Sequence, residues 1–223
     1  MQANPDHLPE LDTGLTLVHT EQTRSHALHQ LLIAELVRES GHTLWLDARN
    51  HASTYTLYEM APSHRIVEDI EIARAFTAYQ HHSLVKQLVE EASRDTRLVV
   101  TPAIGSLYRD DEVPDYFARD LFESSLTVLG ELADVLDVPV LMTDARDDAT
   151  GDLLDEHAAH EIEVTKTSLG LRFETEDFET QLYWDEGFWQ TTIPYWVELF
   201  GAVGETKPVD VARQLGLTDE LEA

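Results

Sequence analysis

Two rhythms of hydrophobic residues alternate along the chain. Leu15–Thr20, LTLVHT, is a short apolar run of strand character. The following SHALHQLLIAELVRESG places Leu28, Leu31, Leu32, Leu36 and Val37 on one helix face, with Gly41 where a helix C-cap belongs. His42–Ala48, HTLWLDA, predicts a second strand and Glu68–Phe76, EDIEIARAF, a third. The helical segment TAYQHHSLVKQLVEEASRD comes next. A fourth strand is expected at Arg97–Ile104, a long helix at Ala118–Asp137 and a fifth strand at Val138–Ala145. Strands separated by helices of this length imply βαβ units and a parallel sheet.

After Ala145 the rhythm changes. HEIEVTKT, GLRFETE, ETQLYWDE and FWQTTI are short alternating runs joined by turns, which predict antiparallel strands at the sheet edge. PYWVELFGAVGE suggests a short closing helix, and KPVDVARQLGLTDELEA a polar C-terminal one. The expected class is therefore α/β, with a mainly parallel central sheet flanked by helices and antiparallel C-terminal edge strands. The expected organisation is an N-terminal extension over residues 1–13, a core domain over 14–203 and a helical appendage over 204–223.

Composition narrows the chemistry. The 223 residues include no cysteine, which excludes disulfides, thiol catalysis and cysteine zinc sites. No run of about 18 apolar residues offers a membrane span, and the start, MQANPDHLPELDTG, lacks the basic and apolar regions of a secretory signal. A cytoplasmic location is expected. Forty-three acidic residues face 15 basic ones, for a formal charge of −28. The acid is spread through periodic, foldable sequence rather than gathered in a tail, so it points to a salt-rich cytoplasm in which screening removes self-repulsion. Nucleic-acid mimicry would localise the charge.

Open α/β sheets bind ligands at the carboxyl ends of their strands. The turn between the first strand and helix, where a phosphate loop belongs, contains neither glycine nor lysine. Three further segments give this position a context. EDIEIARAFTAYQHHSLVKQL resembles the strand and helix with an ARAF-like motif in the RecA/RadA recombinase family. RLVVTPAIGSLYRDD resembles that family's Walker B strand and its LYR segment, and LTVLGELADVLDVPVLMTDA its helix and strand before the Asn-Gln sensor. The similarity runs in order from about Leu11 to Gly201, and the chain is most similar to short, RadB-like haloarchaeal paralogues.

The resemblance implies a RecA-like P-loop NTPase fold with a degenerate site. His19 and Arg24 fall at the P-loop glycine places, Ser25 at the lysine and His26 at the hydroxyl that holds magnesium. Arg49 falls where the family carries its water-activating Glu, and a cation is no general base at neutral pH. Asp47 persists beside it, read as a turn or cap residue. The magnesium carboxylate falls at Thr101 or Pro102, and the sensor Gln at Ala145. No catalytic residue, cofactor or metal is expected, and the chain is expected not to be an enzyme.

The family's DNA loops correspond to RDDEVPDYFARD and ARDDATGDLLDEHAAHE. Both are acidic, and Arg109, Arg119 and Arg146 are too few for a backbone funnel, so autonomous nucleic-acid binding is not expected. RadA-type filaments form when a linker Phe inserts into the next subunit. Met1–Thr13 has no Phe, so no self-filament is expected, while the pocket that receives such a Phe remains available in principle. The implied role is an accessory protein that binds and modulates a partner, a recombinase of the RadA type or a DNA-repair ATPase, in homologous recombination and repair. The alternative is a KaiC-like regulator in signalling or transcription, without ATPase activity.

Other candidates have plainer readings beside them. His26/His29 and His157/His160 have helical spacing and His81/His82 are adjacent, but none has the Glu of a zincin motif, so packed or surface histidine is preferred to metal. Trp184, Phe188, Trp189 and Trp196 suit a partner patch or the packing of edge strands on the core. Ser106 and Ser125 have no base and acid in motif form.

Overall fold

The computed structural model describes residues 8–20, 26–39, 41–111, 113–144, 150–168, 170–176, 179–185 and 188–191, and from 181 onward the backbone alone. These residues belong to one compact unit that extends through Thr191. Among the described residues nine strands make one sheet: β1 (Gly14–Thr20), β2 (His42–Ala48), β3 (Ile70–Ala75), β4 (Thr96–Thr101), β5 (Pro139–Asp144), β6 (His160–Lys166), β7 (Gly170–Glu174), β8 (Glu179–Asp185) and β9 (Phe188–Thr191). Their order is β3-β2-β4-β5-β1-β6-β7-β8-β9. The helices are α1 (His26–Arg38), α2 (Thr54–Met60), α3 (Ala78–Glu91), α4 (Asp115–Leu136) and α5 (Gly151–His157), with a 3-10 turn at His64–Ile66.

The five expected parallel strands pair in parallel, and β7 to β9 run antiparallel as expected. The sixth strand departs from expectation. β6 joins β1 in parallel, Thr16 opposite His160 and Thr20 opposite Val164. The reason is α5, which lies inside the segment read as a DNA loop. It supplies the crossover that a parallel connection requires, and the antiparallel hairpins start one strand later.

Strand periodicity sorts the core into two layers. Val18, Trp45, Val100, Leu141, Ile162 and Phe173 face α1 and α2, which contribute Leu28, Leu31, Leu32, Leu36 and Leu57. Leu15, Leu17, Leu44, Leu46, Val99, Val140 and Met142 face α3, α4 and α5, where Val85, Phe122, Leu126, Leu129, Leu153 and Leu154 pack against them. Strands buried on both faces are what continuous apolar runs specify. Leu8 and Leu11 also pack into the α1 layer, and the Arg38 guanidinium donates to the Leu8 carbonyl at 2.6 Å and the Pro9 carbonyl at 3.1 Å.

Gly41 is not the left-handed cap the sequence suggests. A side chain there would meet Arg97 Cγ at 2.2 Å and the Asp95 carbonyl at 3.3 Å, so close approach of the chain before β4 requires the glycine. Residues 192–223, where the two C-terminal helices are expected, lie outside the described residues.

Candidate functional site

The carboxyl ends of β1, β2, β4 and β5 converge on one edge of the sheet. β1 delivers His19, which is buried and sits in register with Asp144. Its Nε2 lies 3.1 Å from Glu161 Oε2 on β6. A bulky ring held by a neighbouring strand thus stands at the position the resemblance gives to the first P-loop glycine. Arg24 and Ser25 lie outside the described residues. His26 opens α1 and is exposed.

β2 ends on Asp47, which is fully buried. One carboxylate oxygen accepts the His51 and Ala52 backbone N–H groups at 2.7 and 3.1 Å, and the other accepts Arg74 Nε at 3.2 Å. Asp47 therefore ties the turn in which Arg49 and Asn50 take left-handed backbone, φ 58° and 59°. Arg49 donates to the Ser106 carbonyl at 2.9 Å and pairs with Asp110.

β4 does not project a ligand. Thr101 and Pro102 are buried, and the chain folds over β5: the Ala103 N–H donates to Thr143 Oγ1 and the Ile104 N–H to the Thr143 carbonyl, both at 3.0 Å. Seven residues past Pro102, Arg109 turns inward and grips Asp144 with both terminal nitrogens, at 2.6 and 2.9 Å. The same guanidinium donates to Thr150 Oγ1 at 2.7 Å. Asp144 has a side-chain exposure of 1% and Arg109 of 18%. Gly105 makes room for the clasp, because a Cβ there would lie 2.4 Å from Asp144 Oδ2 and 2.8 Å from Arg109. Ala145 lies outside the described residues.

This edge has a definite electrostatic character. Arg49, Arg74 and Arg109 are each engaged by a carboxylate of the same chain, and Glu161 adds a fourth acid beside His19. Among the described residues the positions carried over by resemblance offer no carboxylate at Thr101 or Pro102 for a cation, and no uncommitted guanidinium for a phosphate. The described positions by themselves do not meet the charge of a magnesium triphosphate, which needs donors free to turn toward it. No family model matches the chain, and no curated protein matches it.

Behind the edge, α3 and α4 enclose a polar chain. His81 Nδ1 lies 2.8 Å from Tyr108 Oη, which lies 2.9 Å from Ser125 Oγ. Ser125 donates its proton to the Leu121 carbonyl at 2.8 Å, and His82 Nδ1 stands 3.0 Å from Ser125 Oγ. The fold thus brings a histidine to Ser125 that no motif announced. With its single proton on Leu121, however, Ser125 can only accept from Tyr108 and His82, so this geometry holds a core together rather than arming a nucleophile. Burial raises the Tyr108 phenol above its usual range. Burial, reinforced by Lys86, lowers His82.

His81 carries a measurable consequence. Burial, with a smaller push from His82, lowers its pKa from 6.5 to about 4. Between these values the unfolded chain binds a proton that the folded chain refuses. Stability is therefore complete above pH 6.5 and falls as pH drops toward 4, by about 3 kcal/mol in total. Denaturant titrations across this window should show the slope diminished by nearly one proton in His81→Phe; an unchanged slope would contradict the assignment.

The remaining sequence candidates separate. His29 is buried against Trp45, ring centroids 5.6 Å apart, while His157 Nδ1 meets the Leu153 carbonyl and His160 Nε2 the Thr13 carbonyl. Among the described residues no three His, Asp or Glu side chains gather as a metal set, and no helix is long and apolar enough to cross a membrane. In the first loop read against DNA, Arg109 is committed inward and Arg119 is exposed on α4; Arg146 lies outside the described residues. The β8–β9 register sets Trp184 opposite Trp189 and Asp185 opposite Phe188, but the side chains of these residues, and all of Trp196, lie outside the described set.

One feature at the opposite end of the strand order went unread in the sequence as a cavity. β3 is the outermost strand, and among the described residues nothing pairs with its free side. Beside it, between β3 and α3, lies a hollow of about 240 Å³ with Leu44, Ala73, Leu84 and Leu88 in its wall and Glu71 and Glu91 at its rim.

Proposed function

We propose that this chain is a catalytically silent RecA/RadA-like accessory protein that binds a recombinase-type partner and modulates its assembly in recombination and repair. The observation that carries the reading is the open edge of β3 beside the Leu44–Ala73–Leu84–Leu88 hollow. A free strand edge supplies backbone hydrogen bonds to an extended segment, and an adjacent apolar pocket selects one of its side chains. The hollow is the part that would receive the Phe of a recombinase linker. The pairing of Arg49, at the position the resemblance gives to the family's water-activating Glu, with Asp110 supports the silent half of the proposal.

The test is a titration with a RadA-type linker peptide and its Phe→Ala counterpart, read by calorimetry in concentrated potassium chloride. Burying one Phe contributes about 1.5–3 kcal/mol, so the alanine peptide should bind about tenfold to a hundredfold more weakly. Leu84→Glu, which puts a charge into the half-buried wall, should remove binding while leaving the far-ultraviolet spectrum intact. Equal affinity for both peptides, or binding indifferent to Leu84→Glu, would refute the reading.

A further inference from the structure

The starts of α3 and α4 carry an aromatic surface that neither the core nor the β3 hollow uses. Phe76, immediately after β3, is 65% exposed, and Tyr79 in the first turn of α3 is 49% exposed. Tyr116 and Phe117 in the first turn of α4 are 74% and 37% exposed. Tyr79 and Phe117 touch, ring centroids 5.9 Å apart, so the two helix starts share one surface. The placement is not forced by packing. α4 buries its other aromatic, Phe122, completely, and α3 closes the core with Val85 and Leu88. Nearby exposed positions in the sequence are acidic: Asp111, Asp115 and Asp120, beside Arg119.

We propose that this surface binds an arginine-bearing segment of another protein. An aromatic face attracts a cation through its quadrupole, and arginine more than lysine, because the flat guanidinium stacks on the ring while its edge donates to carboxylates. Rings with Asp111, Asp115 and Asp120 nearby in the sequence supply both halves of that recognition. Charge decides against the other occupants. Nucleic acid would stack its bases on the rings but bring its phosphates to the same carboxylates. A second copy would bring its own acidic surface, 43 acidic residues against 15 basic ones, to the same carboxylates. The surface is independent of the β3 hollow, and the proposal stands or falls without it.

The experiment uses the full chain and two fluorescein-labelled peptides of equal length and charge, one alternating Arg with Gly and the other Lys with Gly. Anisotropy is followed over a potassium chloride series. The Arg peptide should bind about tenfold more tightly than the Lys peptide, and the preference should persist as salt rises, since stacking is screened less than charge. In a Phe76→Ser/Tyr116→Ser chain, whose substitutions fall on exposed rings, the preference should vanish while the weak Lys binding stays. Equal affinity for the two peptides, or an Arg preference that survives in the double variant, overturns the proposal. So does a labelled oligothymidine that binds the wild type and not the variant, which would assign the rings to bases. A dimer seen by sedimentation in the wild type and lost in the variant would assign them to a second copy.

Discussion

Replacing Arg109 by alanine lowers the unfolding free energy by about 3–5 kcal/mol, the range for breaking a buried ion pair from one side. Asp144 is almost wholly enclosed, and its two oxygens rest on one guanidinium. Removing Arg109 leaves that buried carboxylate, among the described residues, only the Thr150 hydroxyl, 3.3 Å away, and takes a donor from Thr150. Gly105→Ala should cost a similar amount, because its Cβ would occupy the space of Asp144 Oδ2. The two substitutions break the same contact, so their combination should cost far less than the sum. Guanidinium titrations in constant potassium chloride report this directly. Full additivity would show that Gly105 matters for some other reason, and a loss below about 1 kcal/mol for Arg109→Ala would place the pair in the weak, solvated class.

Asp47 provides the second large effect. It is fully buried, and its carboxylate joins the turn after β2 to Arg74 on β3. Asp47→Ala leaves the His51 and Ala52 N–H groups without their acceptor and frees Arg74, at an expected cost of about 3 kcal/mol. Asp47→Asn keeps one oxygen for the two backbone donors and should cost about 1 kcal/mol. Thermal or denaturant unfolding of both variants separates these values. A loss under about 1 kcal/mol for the alanine variant would mean that the turn holds itself and the buried carboxylate serves something else.

Much of the sheet was legible because its strands are buried on both faces. HTLWLDA delimits β2 to the residue, and the first five strands and three longest helices stand within a few residues of their expected places. Elements with little burial were not legible. α2 hides only Leu57 and is held by its Ser53 cap, so TYTLYEM shows no apolar stripe. α5 buries Leu153 and Leu154 inside an acidic stretch that reads as a loop, and missing it turned β6 in the wrong direction. At the site, Asp47 was readable as a turn residue from its place before a polar loop. The Arg109–Asp144–Thr150 clasp was not, since its members are separated by 35 and 41 positions and meet only when β4 and β5 are paired. Gly105 was the available signal: a glycine in a turn leading to no phosphate motif marks a close approach.

The most direct measurement of the central claim is calorimetry of the chain with ATP and magnesium in concentrated potassium chloride. Among the described residues, what can attract a nucleotide at the β1 edge is the start of α1, whose dipole contributes about 0.3–1 kcal/mol toward an exposed anion. The account predicts no saturable heat, in the wild type and in Arg24→Ala alike. Micromolar binding by the wild type that disappears in Arg24→Ala would contradict it, showing a nucleotide site rebuilt around arginine.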